Sequence, residues 1–198
     1  MNNLTLQSYL SHLFPDIQMR KPLFYNAPIG IRFKLTNQKR VWEQGYMKNV
    51  YKRTYQIFKA LHDENDELIV VFRSPSSKAE LSFLKRTDIL MKKFIRSRLR
   101  KTSVQLLSTK NEYAIACRPT DLKQKQLLQS IANRDLHIQP AIEEECYIIN
   151  VSKGTIFHLY DDRALDVVSN NQRSLGLLQE KFNEWILDMD ATEHSPIS

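Results

Sequence analysis

Glycine is scarce: four residues in a chain of 198. No two of them fall at the spacing of a Gly-rich loop that cradles phosphate, and so few argue against a loop-dominated fold. Cysteine is scarcer still. The two present, Cys117 and Cys146, rule out a paired-cysteine zinc knuckle, and both sit in apolar runs where a thiol behaves as a small buried hydrophobe. No stretch approaches the roughly 18 apolar residues of a spanning helix, and the N-terminus lacks a basic-then-apolar signal pattern. Cytoplasmic residence is the expectation that follows. Nucleophile elbows and paired histidines of the His-Glu-x-x-His type are also missing, so the sequence names no catalytic set, no metal site and no cofactor.

What the chain does have is apolar surface and positive charge. Hydrophobic residues make up 42% and aromatics 10%, enough to offset chain entropy around a core. The 29 Lys and Arg outnumber the 22 Asp and Glu, a formal charge of +7 that attracts polyanions or acidic proteins at long range.

Hydrophobic periodicity predicts the elements. Leu6, Tyr9, Leu10, Leu13 and Phe14 recur at helical spacing up to Pro15. Ile31, Phe33 and Leu35 alternate with Gly30, Arg32 and Lys34 as in a half-buried strand. Arg40 to His62 carries a helical stripe, and Leu68 to Phe72 reads as a strand buried on both faces, so a strand-helix-strand crossover is expected near the start. A helix is predicted over Leu81 to Leu99, a hairpin over Ser103 to Arg118, and a helix over Asp121 to Leu136 with Asp121 as N-cap. Cys146 to Val151 and Thr155 to Tyr160 flank Ser152-Lys-Gly154, a three-residue hairpin loop that would pair Val151 with Thr155 and Ile148 with His158. That register puts Tyr147, Ile149, Phe157 and Leu159 on one face and Cys146, Ile148, Ile156 and His158 on the other. A helix over Asn171 to Asp190 closes the chain, with fraying from about residue 191. The expected architecture is an α+β fold in one domain over residues 1–198, with a mixed, mostly antiparallel sheet of about six strands and helices packed on it.

Two polar clusters stand out. The first is His158, Tyr160, Asp161, Asp162 and Arg163 at the exit of the predicted hairpin, which Arg32 could join from its own strand. A histidine with carboxylates at a strand end can carry acid–base chemistry; equally, it can be a packed histidine beside a charged turn with a local Asp–Arg pair. The second is the basic run from Lys85 to Lys101, in which Lys85, Lys92, Lys93, Arg96 and Arg100 fall near one helical stripe. Such a stripe can follow a phosphate backbone or dock an acidic partner, or simply be a solvated face.

Several segments resemble a bacterial family, domain of unknown function 3885, found mainly in Gram-positive spore-formers. They are Pro22 to Phe33, Ile131 to Asp135, Ile156 to Arg163 with Asp166 and Val167, and Asn183 to Asp188 with Asp190. The resemblance covers nearly the whole chain. It implies a stand-alone domain but no activity, ligand or catalytic residue. Where the family often has glycine after the Asp-Asp-Arg turn this chain has Ala164, which questions a left-handed turn there. The function expected is therefore a non-catalytic module that binds another protein, immunity-type binding of a toxin being one form of it. Nucleic-acid binding through residues 85–101 and an enzyme built on His158, Asp161, Asp162 and Arg163 are the rivals.

Overall fold

The computed structural model describes residues 6–15, 17–74, 89–90, 92–95, 106–108 and 112–187. Among the described residues seven strands form one sheet: β1 (Gly30–Lys34), β2 (Leu68–Arg73), β3 (Leu106–Ser108), β4 (Glu112–Cys117), β5 (Glu145–Asn150), β6 (Thr155–Leu159) and β7 (Ala164–Ser169). Their spatial order is β1-β7-β6-β5-β2-β4-β3, and every neighbouring pair is antiparallel. The α+β class is as the sequence predicts; among the described residues the sheet is antiparallel throughout rather than mixed, with one strand more than expected. Of the helices that lie wholly within the described residues, four accompany the sheet: α1 (Leu6–Leu13), α2 (Tyr46–Leu61), α3 (Gln124–Ala132) and α4 (Arg173–Lys181). The predicted crossover exists: β1 and β2 run in the same direction, joined through α2, with β7, β6 and β5 lying between them.

Successive residues of a strand point to opposite faces, and both faces here are covered. Phe33, Val70, Phe72, Ile115, Ile148, Phe157 and Val167 pack with Val50 and Phe58 of α2, Leu127 and Ile131 of α3, and Leu178 of α4. Val71, Ala114, Tyr147, Ile149, Ile156 and Val168 pack instead with the N-terminal segment, through Leu10, Leu13, Phe14, Ile17, Met19 and Leu23. The result is three layers: helices, sheet, and an N-terminal strap formed by residues 6–15 and 17–27. Covering on both sides explains why β6 and β7 are buried at every position.

The hairpin register differs from the sequence expectation by one residue. Asn150, not Val151, faces Thr155, and Ile148 faces Phe157. Phe157 and Leu159 therefore share a face with Ile148, while His158 lies on the face of Tyr147, the reverse of the expected assignment. The cause is tertiary. The Val151 N–H donates to Glu67 O at 2.8 Å and Ser152 Oγ accepts from Glu67 N–H at 2.9 Å, so the strand end is held by the β2 side and the turn becomes four residues, Val151 to Gly154. Asn150 Oδ1 closes it by accepting the Lys153 N–H at 3.0 Å.

Other boundaries shift for similar reasons. Helix α2 begins at Tyr46, not Arg40, after Gly45 at φ 86°. Asp121 is not the N-cap of α3: its carboxylate accepts the Arg118 N–H at 2.8 Å within a 3-10 turn over Pro119–Asp121. The closing helix stops at Lys181, after which Ile186 bridges to Phe33 and the Leu187 N–H donates to Arg32 O at 2.8 Å, covering the β1 edge. The expected helix over Leu81 to Leu99 lies largely outside the described residues; within it, 89–90 and 92–94 are helical and Ile95 bridges to Leu122. No helix among the described residues is long and apolar enough to cross a membrane.

Candidate functional site

The sheet brings Arg32 and His158, two of the polar residues singled out in the sequence, into one row with Asp166 on the strap face. Asp166 in β7 pairs with Arg32 in β1 on one side and with His158 in β6 on the other. Arg32 Nε donates to Asp166 Oδ1 at 2.8 Å and Nη2 to Oδ2 at 3.0 Å, a bidentate pair whose aspartate side chain is fully buried. The same carboxylate accepts the Phe24 N–H at 2.9 Å. Burial by itself would lower the Arg32 pKa, but the hydrogen bond and charge of Asp166 raise it overall. The guanidinium carbon lies 4.8 Å from the Tyr25 ring centre, 5.3 Å from Phe24 and 5.9 Å from Tyr160, an aromatic enclosure for a fixed cation.

His158 is fully buried, stacked on Tyr147 at 4.1 Å between ring centres and tilted against Tyr160 at 5.2 Å. Its Nε2 is 3.5 Å from Glu145 Oε1, too long for a strong hydrogen bond, and Nδ1 has no hydrogen-bond partner among the described residues. Burial lowers its pKa against the opposing pull of Glu145 and Asp166, so the imidazole is neutral at pH 7. Burial would raise the Glu145 carboxyl, but His158, Tyr147 and Arg73 bring it below its ordinary value. Arg73 in turn pairs with Glu112, lies 3.8 Å from Glu145 Oε2, and donates to the carbonyl of Met19. The strap is thus tied down at Met19 by Arg73 and at Phe24 by Asp166, with His158 in the row between.

Asp161 and Asp162 take other roles. Asp161 Oδ1 accepts the N–H groups of Arg163 at 2.9 Å and Ala164 at 3.0 Å, and its Oδ2 pairs with the Arg163 guanidinium at 2.9 Å. This side-chain closure makes the turn without a left-handed residue: His137 is the one non-glycine at positive φ among the described residues, so Ala164 needs none. Asp162 accepts the hydroxyl of Tyr46, whose pKa rises through burial and that bond. Tyr160 is buried, its carbonyl accepting from Arg134 Nη2 at 2.6 Å and its ring facing Lys21 Nζ at 5.1 Å. The carboxylates beside His158 are therefore Glu145 and Asp166, and Arg32 meets Asp166 rather than the Asp161–Arg163 turn. Glu145, Arg73 and Tyr147 did not stand out in the sequence, because nothing in one strand's alternation says which strands lie next to it. Among the described residues, no three His, Cys, Asp or Glu side chains converge as metal ligands would.

Of the basic stripe, Lys85, Arg96 and Arg100 lie outside the described residues. Lys92 is exposed, while Lys93 Nζ reaches Ala141 O at 3.4 Å and sits 5.2 Å from the Phe94 ring centre.

A family model, domain of unknown function DUF3885, matches residues 6–190. The chain belongs to this family. The match takes in the strap, all seven strands and the closing helix, so the Arg32–Asp166 pair and its surroundings lie wholly within the family domain. A relative, the uncharacterized protein YnaE of Bacillus subtilis (strain 168), is 22% identical over 208 residues, covering 92% of this chain and 97% of its own length. No solved structure matches the chain.

Proposed function

We propose that this member of the DUF3885 family is a non-catalytic module that binds an acidic surface of another protein. The observation that carries the reading is Trp42, 79% exposed on the loop between β1 and α2 beside the half-exposed Val41. The tip is ordered by its own bonds. Arg40 N–H donates to Glu43 Oε1 at 2.9 Å, Glu43 N–H to Arg40 O at 3.0 Å, and Asn49 Nδ2 to Gln38 Oε1 at 3.1 Å, while the Arg40 guanidinium carbon lies 5.5 Å from the Trp42 ring centre. A preorganised Trp–Arg pair flanked by Lys39 is the composition of an interface anchor, and it costs little ordering entropy on binding.

The His158 row supports the same reading from the other side. Asp166 is taken up by Arg32 and the Phe24 N–H, Glu145 lies beside Arg73, and neither ring nitrogen of His158 has a hydrogen-bonded hydroxyl or thiol among the described residues. Immunity-type masking of a toxin is a special case, and the charge of +7 favours a toxin whose contact surface is acidic.

The test is quantitative affinity capture from cytoplasm of the encoding organism, with wild type and a Trp42→Ala/Arg40→Glu variant side by side. A partner retained by wild type, lost by the variant and bound by the purified protein about thirty-fold more weakly after Trp42→Ala supports the proposal. Equal capture by both proteins overturns it.

A further inference from the structure

The outer surface of the helical layer carries a second, independent feature. Helix α2 contains Lys48, Lys52, Arg53 and Lys59 and no Asp or Glu; helix α3 contains Lys125 and no Asp or Glu. Between them runs a groove of about 280 Å³ walled by Tyr51 and Tyr55, with Lys52, Lys125, Gln56 and Gln129 around it. Tyr51 and Tyr55 are one helical turn apart and so share a side of α2. The Tyr51 hydroxyl donates to Asn133 Oδ1 at 2.6 Å, which fixes that ring as a wall, and Lys125 Nζ lies 5.1 Å from the Tyr55 ring centre.

We propose that this groove binds a nucleoside phosphate, free or as a unit of single-stranded RNA. Aromatic walls accept a flat base, the two lysines meet phosphate, and the amides of Gln56 and Gln129 offer a donor and an acceptor each to a base edge. An acidic peptide would satisfy the lysines and leave the rings without a flat partner. A neutral aromatic ligand would do the reverse. The groove uses none of the residues of the Trp42 tip, so it stands or falls separately from the protein-binding reading.

The probes are a short fluorescein-labelled oligouridylate, read by anisotropy, and ATP, read by calorimetry, both at low salt. The proposal expects binding of at least one probe, weakening steeply with salt as released counterions require. Lys52→Glu/Lys125→Glu and, separately, Tyr55→Ala should each reduce it about tenfold or more. Arg173→Glu/Lys181→Glu, which makes the same charge change at exposed positions of α4, should leave it within about twofold, and thermal melts confirm that each variant is folded. ATP binding with no gain for the oligonucleotide assigns a mononucleotide site, and preference for the oligonucleotide assigns a strand-binding one. Absence of binding by both probes overturns the proposal, as does equal weakening by the two charge reversals, which would reduce the effect to net charge.

Discussion

Asp166 stands directly opposite His158 across β6 and β7, yet gives both carboxylate oxygens to Arg32 on its other side. The histidine is left neutral, packed against Tyr147 and without a strong hydrogen bond. The row joins three strands and the strap into one unit.

Removing the acid should be the most damaging single change. Asp166→Ala leaves the Arg32 guanidinium, whose side chain is 11% exposed, without its counter-charge and frees the Phe24 N–H. Breaking a buried pair from one side costs about 3–5 kcal/mol. Urea unfolding of Asp166→Ala is expected to show that loss, and Arg32→Met/Asp166→Leu a smaller one, because it removes both charges together.

Two buried histidines are expected to make the fold acid-sensitive above the carboxylate range. Burial holds the His62 pKa down to about 3 and lowers that of His158 as well. Below the unfolded-chain value of about 6.5, the unfolded state takes up protons that the native state refuses, so stability is full above that pH and falls as pH drops. Each histidine contributes a slope of up to about 1.4 kcal/mol per pH unit. Denaturation midpoints between about pH 6.5 and 5 should fall accordingly, and His62→Phe, which keeps the stacking on Phe58, should remove part of the slope.

Truncating His158 tests whether it is packed. His158→Ala is expected to lower stability by about 1–3 kcal/mol at pH 7 through the lost stacking on Tyr147 and Tyr160. A residue held for catalysis would leave the melting temperature nearly unchanged.

Gly154 pins the hairpin. It adopts φ 61°, and an added Cβ would collide with the Asn170 side chain. Gly154→Ala should cost about 1–3 kcal/mol, from backbone strain together with displacement of Asn170. An equilibrium unfolding curve indistinguishable from wild type would contradict the four-residue turn.

Much of the architecture was legible in the chain. The long stripe of α2, the apolar run of β2 and the paired runs around Gly154 follow from periodicity alone, since burial on one side or on both imposes it. Strand β7 was not legible. Its Ala-Leu-Asp-Val-Val-Ser sequence places a charge at the centre of a buried strand, which only a partner such as Arg32 makes tolerable. The hairpin register was misread for a related reason: the turn signal at Ser152-Lys-Gly154 is local, whereas the register is set by Val151 and Ser152 binding Glu67 at the end of the neighbouring strand.

The sequence by itself determined the α+β class and the apolar setting of Cys117 and Cys146, which the structure leaves unpaired, with the Cys117 thiol pushed up to about 12 by burial. Only the tertiary structure decided which carboxylates His158 meets, that Arg32 belongs to Asp166, and that the lysines of α2 and α3 share a groove with two tyrosines. The physical reason is one of range. Periodicity and turn chemistry act within a few residues, but strand order and helix packing bring together groups more than a hundred positions apart, as with Arg32 and Asp166, and charges acquire their roles only there.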